Sequence, residues 1–184
     1  KYSGTDGTPT GTTPWPKTFT LSVTDKGLFV RGVAIDPVNA DIVITGSLAS
    51  AYNFGGGSIG PNDTGVALFI AKYTSVGTFG WAYVYGGDAF ASDIGFAVAI
   101  DSASRIAVVG QLMSGVNFGC GWLLGPSPSC FVVSFISAGG APDGCRWNQR
   151  LQTTSYGYAV ATDLSGNVAV GGAQGGALIQ SYSP

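Results

Sequence analysis

The chain has 184 residues, enough to bury one sizeable core. Only 10% of them are charged, against roughly a quarter in an ordinary soluble domain, and the net charge is −2. The eight Lys and Arg are scattered singly, so no basic patch is offered to nucleic acid or acidic lipid, and no apolar run is long enough to span a membrane.

All ten acidic residues are Asp, His is absent, Met occurs once, and there are 30 glycines. Asp and Gly favour turns, whereas Glu and Met favour helices. Val, Ile, Thr, Tyr, Phe and Trp fill the periodic stretches, as strands require. Residues 1–14 read as a lead-in completing a preceding repeat, because Lys1-Tyr2-Ser3 matches Lys72-Tyr73-Thr74 and Ser181-Tyr182-Ser183. Trp15 opens a first unit, 15–80. In it Val33-Ala34-Ile35 ends in Asp36, Ile42-Val43-Ile44-Thr45 ends in Gly46, and Asn53-Phe54-Gly55 precedes the run Leu68 to Tyr73.

Trp81 follows Trp15 by 66 residues and opens a second unit, 81–146. Here strands are predicted at 81–85, 96–100, 106–112 and 131–136, with Gly86-Gly87-Asp88 breaking the first pair. Val98-Ala99-Ile100-Asp101, the run from Ile106 to Gly110, and Asn117-Phe118-Gly119 repeat the motifs of the first unit. Trp147, a further 66 residues on, opens a shortened third unit, 147–184, with Val160-Ala161-Thr162-Asp163 and a near-direct step from Gly172 to Ala177. Each turn after the Asp reads as a hairpin, as in Asp163-Leu164-Ser165-Gly166-Asn167. The predicted fold is therefore all-β and β-propeller-like, with three four-stranded blades of about 66 residues each. A twelve-stranded sandwich is the rival, but it does not demand the repeat. A closed propeller needs about four to eight blades. Three blades leave two apolar faces to be covered by other chains or by more of a longer polypeptide.

The series Trp, Gly-Gly, Val-Ala-Ile-Asp, Ser-Gly-Asn, Asn53-Phe54-Gly55-Gly56-Gly57 and Phe69-Ile70-Ala71-Lys72-Tyr73 resembles the bacterial SBBP β-propeller repeat, over nearly the whole chain. The resemblance departs at Ser134 and Ser181, where a Lys is expected, and in the short third unit. It implies a large secreted or surface protein and no common activity.

Few residues point to chemistry. Without His there is no Ser-His-Asp triad, no Cys-His pair and no His-ligated zinc. Asp36, Asp101 and Asp163 recur at a strand end in every unit, which predicts Asx turns rather than a single active site. Asp88 and Asp93 form the one candidate carboxylate pair for glycoside chemistry, with turn capping as the simpler role. Asp36, Asn39 and Asp41 carry oxygens suited to calcium, but they lack the Gly and terminal acid of a known loop. Trp15, Trp81 and Trp147 offer rings on which a sugar could stack, but their recurrence at one place predicts packing between units first. Trp122, Leu123 and Leu124 sit in a loop where the first unit has only Ser58-Ile59, and either fold back or form a candidate partner contact. Cys120 and Cys130 bracket that loop and are the candidate disulfide, leaving Cys145 unpaired.

The function expected is that of a non-catalytic secreted or cell-surface β-propeller repeat module for protein binding or assembly. It is not expected to be an enzyme or to need catalytic residues, a cofactor or a metal. Expected partners are other protein chains, same or different, and glycans. The alternatives are a carbohydrate-binding, lectin-like propeller and a glycoside-processing one.

Overall fold

A computed structural model of the chain describes residues 27–125, 127–136, 144–151, 155–174 and 177–183. The predicted lead-in at 1–14 and Trp15 lie outside the described residues.

Every described element is a strand. The first sheet runs in chain order through β1 (Leu28–Ile35), β2 (Ile42–Leu48), β5 (Ala67–Tyr73) and β6 (Phe79–Gly86), all antiparallel. A small ribbon of β3 (Tyr52–Asn53) and β4 (Ser58–Ile59) rises between its second and third strands. The second sheet repeats this plan with β7 (Ile94–Ile100), β8 (Ile106–Leu112), β11 (Ser129–Phe135) and β12 (Cys145–Arg150), and its ribbon is β9 (Val116–Asn117) with β10 (Trp122–Leu123). A third sheet has β13 (Ser155–Thr162), β14 (Val168–Gln174) and β15 (Ala177–Tyr182), three strands among the described residues rather than the four predicted.

Val33-Ala34-Ile35 and Val98-Ala99-Ile100 thus occupy equivalent places, as the repeat required. The position of the Trp strands differs from the prediction. Trp81 and Trp147 lie on the last strand of a sheet, not the first. A tight turn explains it: Thr74 N–H bonds the Thr78 carbonyl at 2.8 Å, and Gly77 takes φ +82°, so β6 folds straight back on β5. The Gly86-Gly87-Asp88 stretch, read as a break inside a unit, is the link between two sheets, with both glycines at positive φ.

Successive sheets pack face to face. β7 lies against β1 and β2, and β13 lies against β7 and β8. The sheets are separate, and they do not close on one another among the described residues. Three clusters fill the interior. One lies between the first and second sheets, around Val43, Leu68, Ile70, Val98, Val108 and Phe131. Another lies between the second and third, around Val109, Cys130, Val132, Val168 and Val170. The third lines the opposite face of the first sheet, around Ile44, Phe69 and Tyr73. Trp81 packs on the first of these and Trp147 on the second, as predicted for packing residues. Both indole N–H groups are buried and unbonded, so neither ring offers its polar edge to a ligand.

Each first strand carries one bulge at the same place: between Val30 and Gly32, between Gly95 and Ala97, and between Gly157 and Ala159. The extra residues are Arg31, Phe96 and Tyr158. They form a ladder across the three sheets, with the Arg31 guanidinium 5.5 Å from the Phe96 ring centre and the Phe96 and Tyr158 rings 5.3 Å apart.

Candidate functional site

Two surfaces stand out: the ribbon that carries Trp122, and the exposed faces of the terminal sheets.

The β9–β10 ribbon is held at both ends. Asn117 Oδ1 accepts from Gly119 N–H at 2.8 Å and Gly121 N–H at 3.2 Å, which shapes the tip. At the base, Arg150 Nη1 donates to the carbonyls of Ser114 (3.0 Å) and Leu123 (2.9 Å). Burial pulls the Arg150 pKa down, and the Asp93 charge partly offsets this. The fate of the three apolar loop residues is split. Leu123 is buried in the core between the first two sheets, whereas Trp122 and Leu124 are 66% and 72% exposed. Trp122 pairs with Asn117 across the ribbon, so their side chains share one face. Together with Asn62, Tyr85, Asp88 and Val116 they line an open cleft of about 140 Å³ between the first two sheets.

The predicted Cys120–Cys130 bridge is not formed. Cys120 pairs with Cys145, their Cα atoms 5.6 Å apart, and Cys130 is free and buried. Strand alternation gives the reason. Phe131 faces the ribbon, its ring 5.2 Å from Phe118, so its neighbour Cys130 points to the opposite side, among Val109, Val168 and Val170. Burial there pushes its thiol up to about 12. The first unit makes the same clasp without sulfur. Phe79 stands where Cys145 does, and Gly55 and Gly56 are so close to its ring that neither has room for a Cβ. The bridge therefore replaces a Phe-on-Gly contact that ties each ribbon to the edge strand.

The three recurrent aspartates make Asx turns, as their recurrence predicted. Asp36 accepts from Val38 N–H, Asp101 from Ala103 N–H and Asp163 from Ser165 N–H, each at 2.9 Å. The turns are also tied to one another. Ser104 Oγ donates to Asp36 Oδ1 at 2.9 Å, and Ser102 Oγ donates to the Leu164 carbonyl at 3.1 Å. Asp41, in the calcium reading, is engaged elsewhere: its carboxylate lies 3.0 Å from Lys72 Nζ and accepts Ser75 N–H at 3.0 Å. Among the described residues no three His, Cys, Asp or Glu gather as metal ligands.

Asp88 and Asp93 lie in opposite surroundings. Asp93 is fully buried and takes four hydrogen bonds, from Gly87 N–H, Met113 N–H, Ser114 N–H and Ser114 Oγ, which lock the inter-sheet link to the end of β8. Asp88 is exposed at the cleft rim. Sequence reasoning did not separate these two roles, because burial alone decides them.

Among the described residues, nothing covers the outer faces of the first and third sheets at their inner strands. Val33 is 65% exposed and Ile35 54%, whereas Val98, at the place of Val33, is 8% exposed. On the third sheet Ala161 and Ala169, paired across β13 and β14, are exposed.

The chain matches no protein-family model and no curated protein.

Proposed function

We propose that this chain is a non-catalytic binding and assembly module, a propeller-like repeat segment of the secreted or cell-surface type that the SBBP resemblance implies. One observation carries the reading. The same Val of the repeat is buried at 8% exposure in the middle sheet and left 65% exposed in the first. Repeat units bury their faces against like neighbours, and a bare end is a docking face or a liability. Covering it returns roughly 25 cal/mol per Å² of apolar surface, so an interface near the ordinary ~1,600 Å² strongly favours association. Sedimentation of the 184-residue chain is the test. The expected result is a species heavier than one chain, or a monomer whose bare face binds a hydrophobic dye. A stable monomer with no dye binding overturns the reading.

A glycan-binding reading has the Trp122 cleft in its favour, where an exposed indole meets Asp88, Asn62 and Asn117. Titration with methyl glycosides, followed by Trp fluorescence in the chain and in Trp122→Ser, tests it. The first unit carries Ser58 at that place, so the variant keeps the ribbon.

A further inference from the structure

We infer that the cover for the bare face of β1 is the outer face of the third sheet of a second copy of this chain, docked head to tail. The inference rests on the assembly reading above and names its partner.

Side-chain sizes reverse between the first sheet and the third. Inside the chain, each sheet-to-sheet contact sets a side chain of one sheet's second strand against a glycine of the next sheet's first strand. Thr45 presses on Gly95, leaving no room there for a Cβ. At the equivalent place, a Cβ on Gly157 would lie 3.2 Å from Val109 Cβ and 2.8 Å from Cys130 Sγ. Both members of this pair recur once more, on the first strand of the first sheet and the second strand of the third, with their sizes exchanged. On the first strand Val30, 44% exposed, replaces the glycine. On the second strand of the third sheet Gly171 replaces Thr45 and Val109, and a Cβ there would meet nothing within 4 Å but Ala159 Cβ at 3.6 Å. A knob at one end thus matches a hollow at the other.

The neighbouring positions agree. Val98 and Ile100 pack in one cluster with Ala34 and Val43 of the preceding sheet. On the third sheet these two host positions are Ala161 and Ala169, which line a hollow of about 240 Å³. Val33 and Ile35 are the side chains that the same packing rule would set into it. The bulge ladder also continues. Arg31 covers Phe96 and Phe96 meets Tyr158, which is 53% exposed at the far end. Its next rung in the same order is Arg31 of another copy, exposed beside Phe29. A foreign partner has no reason to complement both ends at once. Docked reciprocally, two copies bring the three main described sheets of each together through a heterologous contact made twice.

The test exchanges the sizes back. Gly171→Val sets Val against Val30 and is expected to weaken self-association by about 10- to 100-fold, the ordinary effect of overpacking. Val30→Gly with Gly171→Val recreates the Val109–Gly157 pairing and is expected to restore association to within about threefold of the original chain. Thermal unfolding checks that each variant folds. Sedimentation that finds the original chain monomeric at about 100 µM overturns the proposal. So does a double variant no better than Gly171→Val, and in that case association of the original chain leaves the assembly reading standing. Should Gly171→Val fail to fold, a mixture of Val30→Cys and Gly171→Cys chains decides. A mixed cross-linked dimer supports the contact. Its absence, or equal cross-linking of Val30→Cys with itself, overturns it.

Discussion

Asp88 and Asp93 are five residues apart in the sequence and differ in every physical respect that matters. The Asp93 carboxylate is buried under four donors, and its removal would leave Gly87 and Ser114 amides without partners. Asp93→Ala should cost about 3 kcal/mol or more, while Asp88→Ala should stay within about 0.5 kcal/mol, as read from urea unfolding midpoints. Equal effects would mean that the link between sheets is not held as described. Two tyrosines set an alkaline limit. Burial, with Tyr52 adding to it, pushes the Tyr73 phenol from 10.0 to about 12, and burial followed by the Cys130 charge does the same for Tyr182. Both are neutral in folded and unfolded chains below pH 10. Above it the unfolded chain ionises first, so this contribution is whole below about pH 10 and lost as pH rises toward 12. Circular dichroism between pH 8 and 12 should show the unfolding temperature flat at first and then falling. The buried Cys130 thiol, raised from 9.0 to about 12, acts in the same sense from about pH 9, so a fall beginning well below pH 9 would contradict the assignment.

The ribbon and its clasp belong to the scale of elements. Cys120–Cys145 in the second sheet and Phe79 over Gly55-Gly56 in the first do one mechanical job, pinning ribbon to edge strand. Cys120→Gly with Cys145→Phe should therefore rebuild the clasp without sulfur, making the unfolding midpoint insensitive to reductant. Reduction of the original chain should lower its stability by about 2–4 kcal/mol, since the bridge closes a loop between residues 25 apart. If the double variant is no more stable than the reduced chain, the equivalence fails. Strand positions were legible because apolar runs and turn residues recur at one spacing. The clasp was not, because pairing depends on which face a cysteine points to, and one residue of register separates Cys130 from Phe131. The Lys expected at Ser134 has a similar explanation. Lys72 answers Asp41, but at the place of Asp41 the second sheet has Arg105, which turns to Asp101, and a Lys at 134 would face a cation. The third sheet has Asn167 there, bonded to Asp163, and Ser181, paired with Ala169, at the place of Lys72.

At the scale of the whole molecule, the repeat fixes what each sheet expects of its neighbour, and among the described residues the outer faces of the first and third sheets show that expectation unmet. The order of strands within a sheet was not legible, because a 66-residue period is satisfied by any choice of starting strand. Only the tight turn at 74–78 and the positive-φ glycines at 86 and 87 decide where one sheet stops. The unmet expectation can be probed by placing the same charge at two equivalent places. Val98→Lys puts an ammonium into an apolar interface, and should cost several kcal/mol, enough to unfold a domain of ordinary stability. Val33→Lys puts it on the bare face, where the isolated chain should lose no more than about 0.5 kcal/mol. Its effect should appear instead in association, because a partner seated on β1 would have to bury that charge. Thermal unfolding at low concentration reads the first difference, and sedimentation across a concentration series reads the second. Val33→Lys that leaves association unchanged would remove β1 from any interface. Val98→Lys that folds normally would remove the packed sheet contact from which the bare ends were inferred.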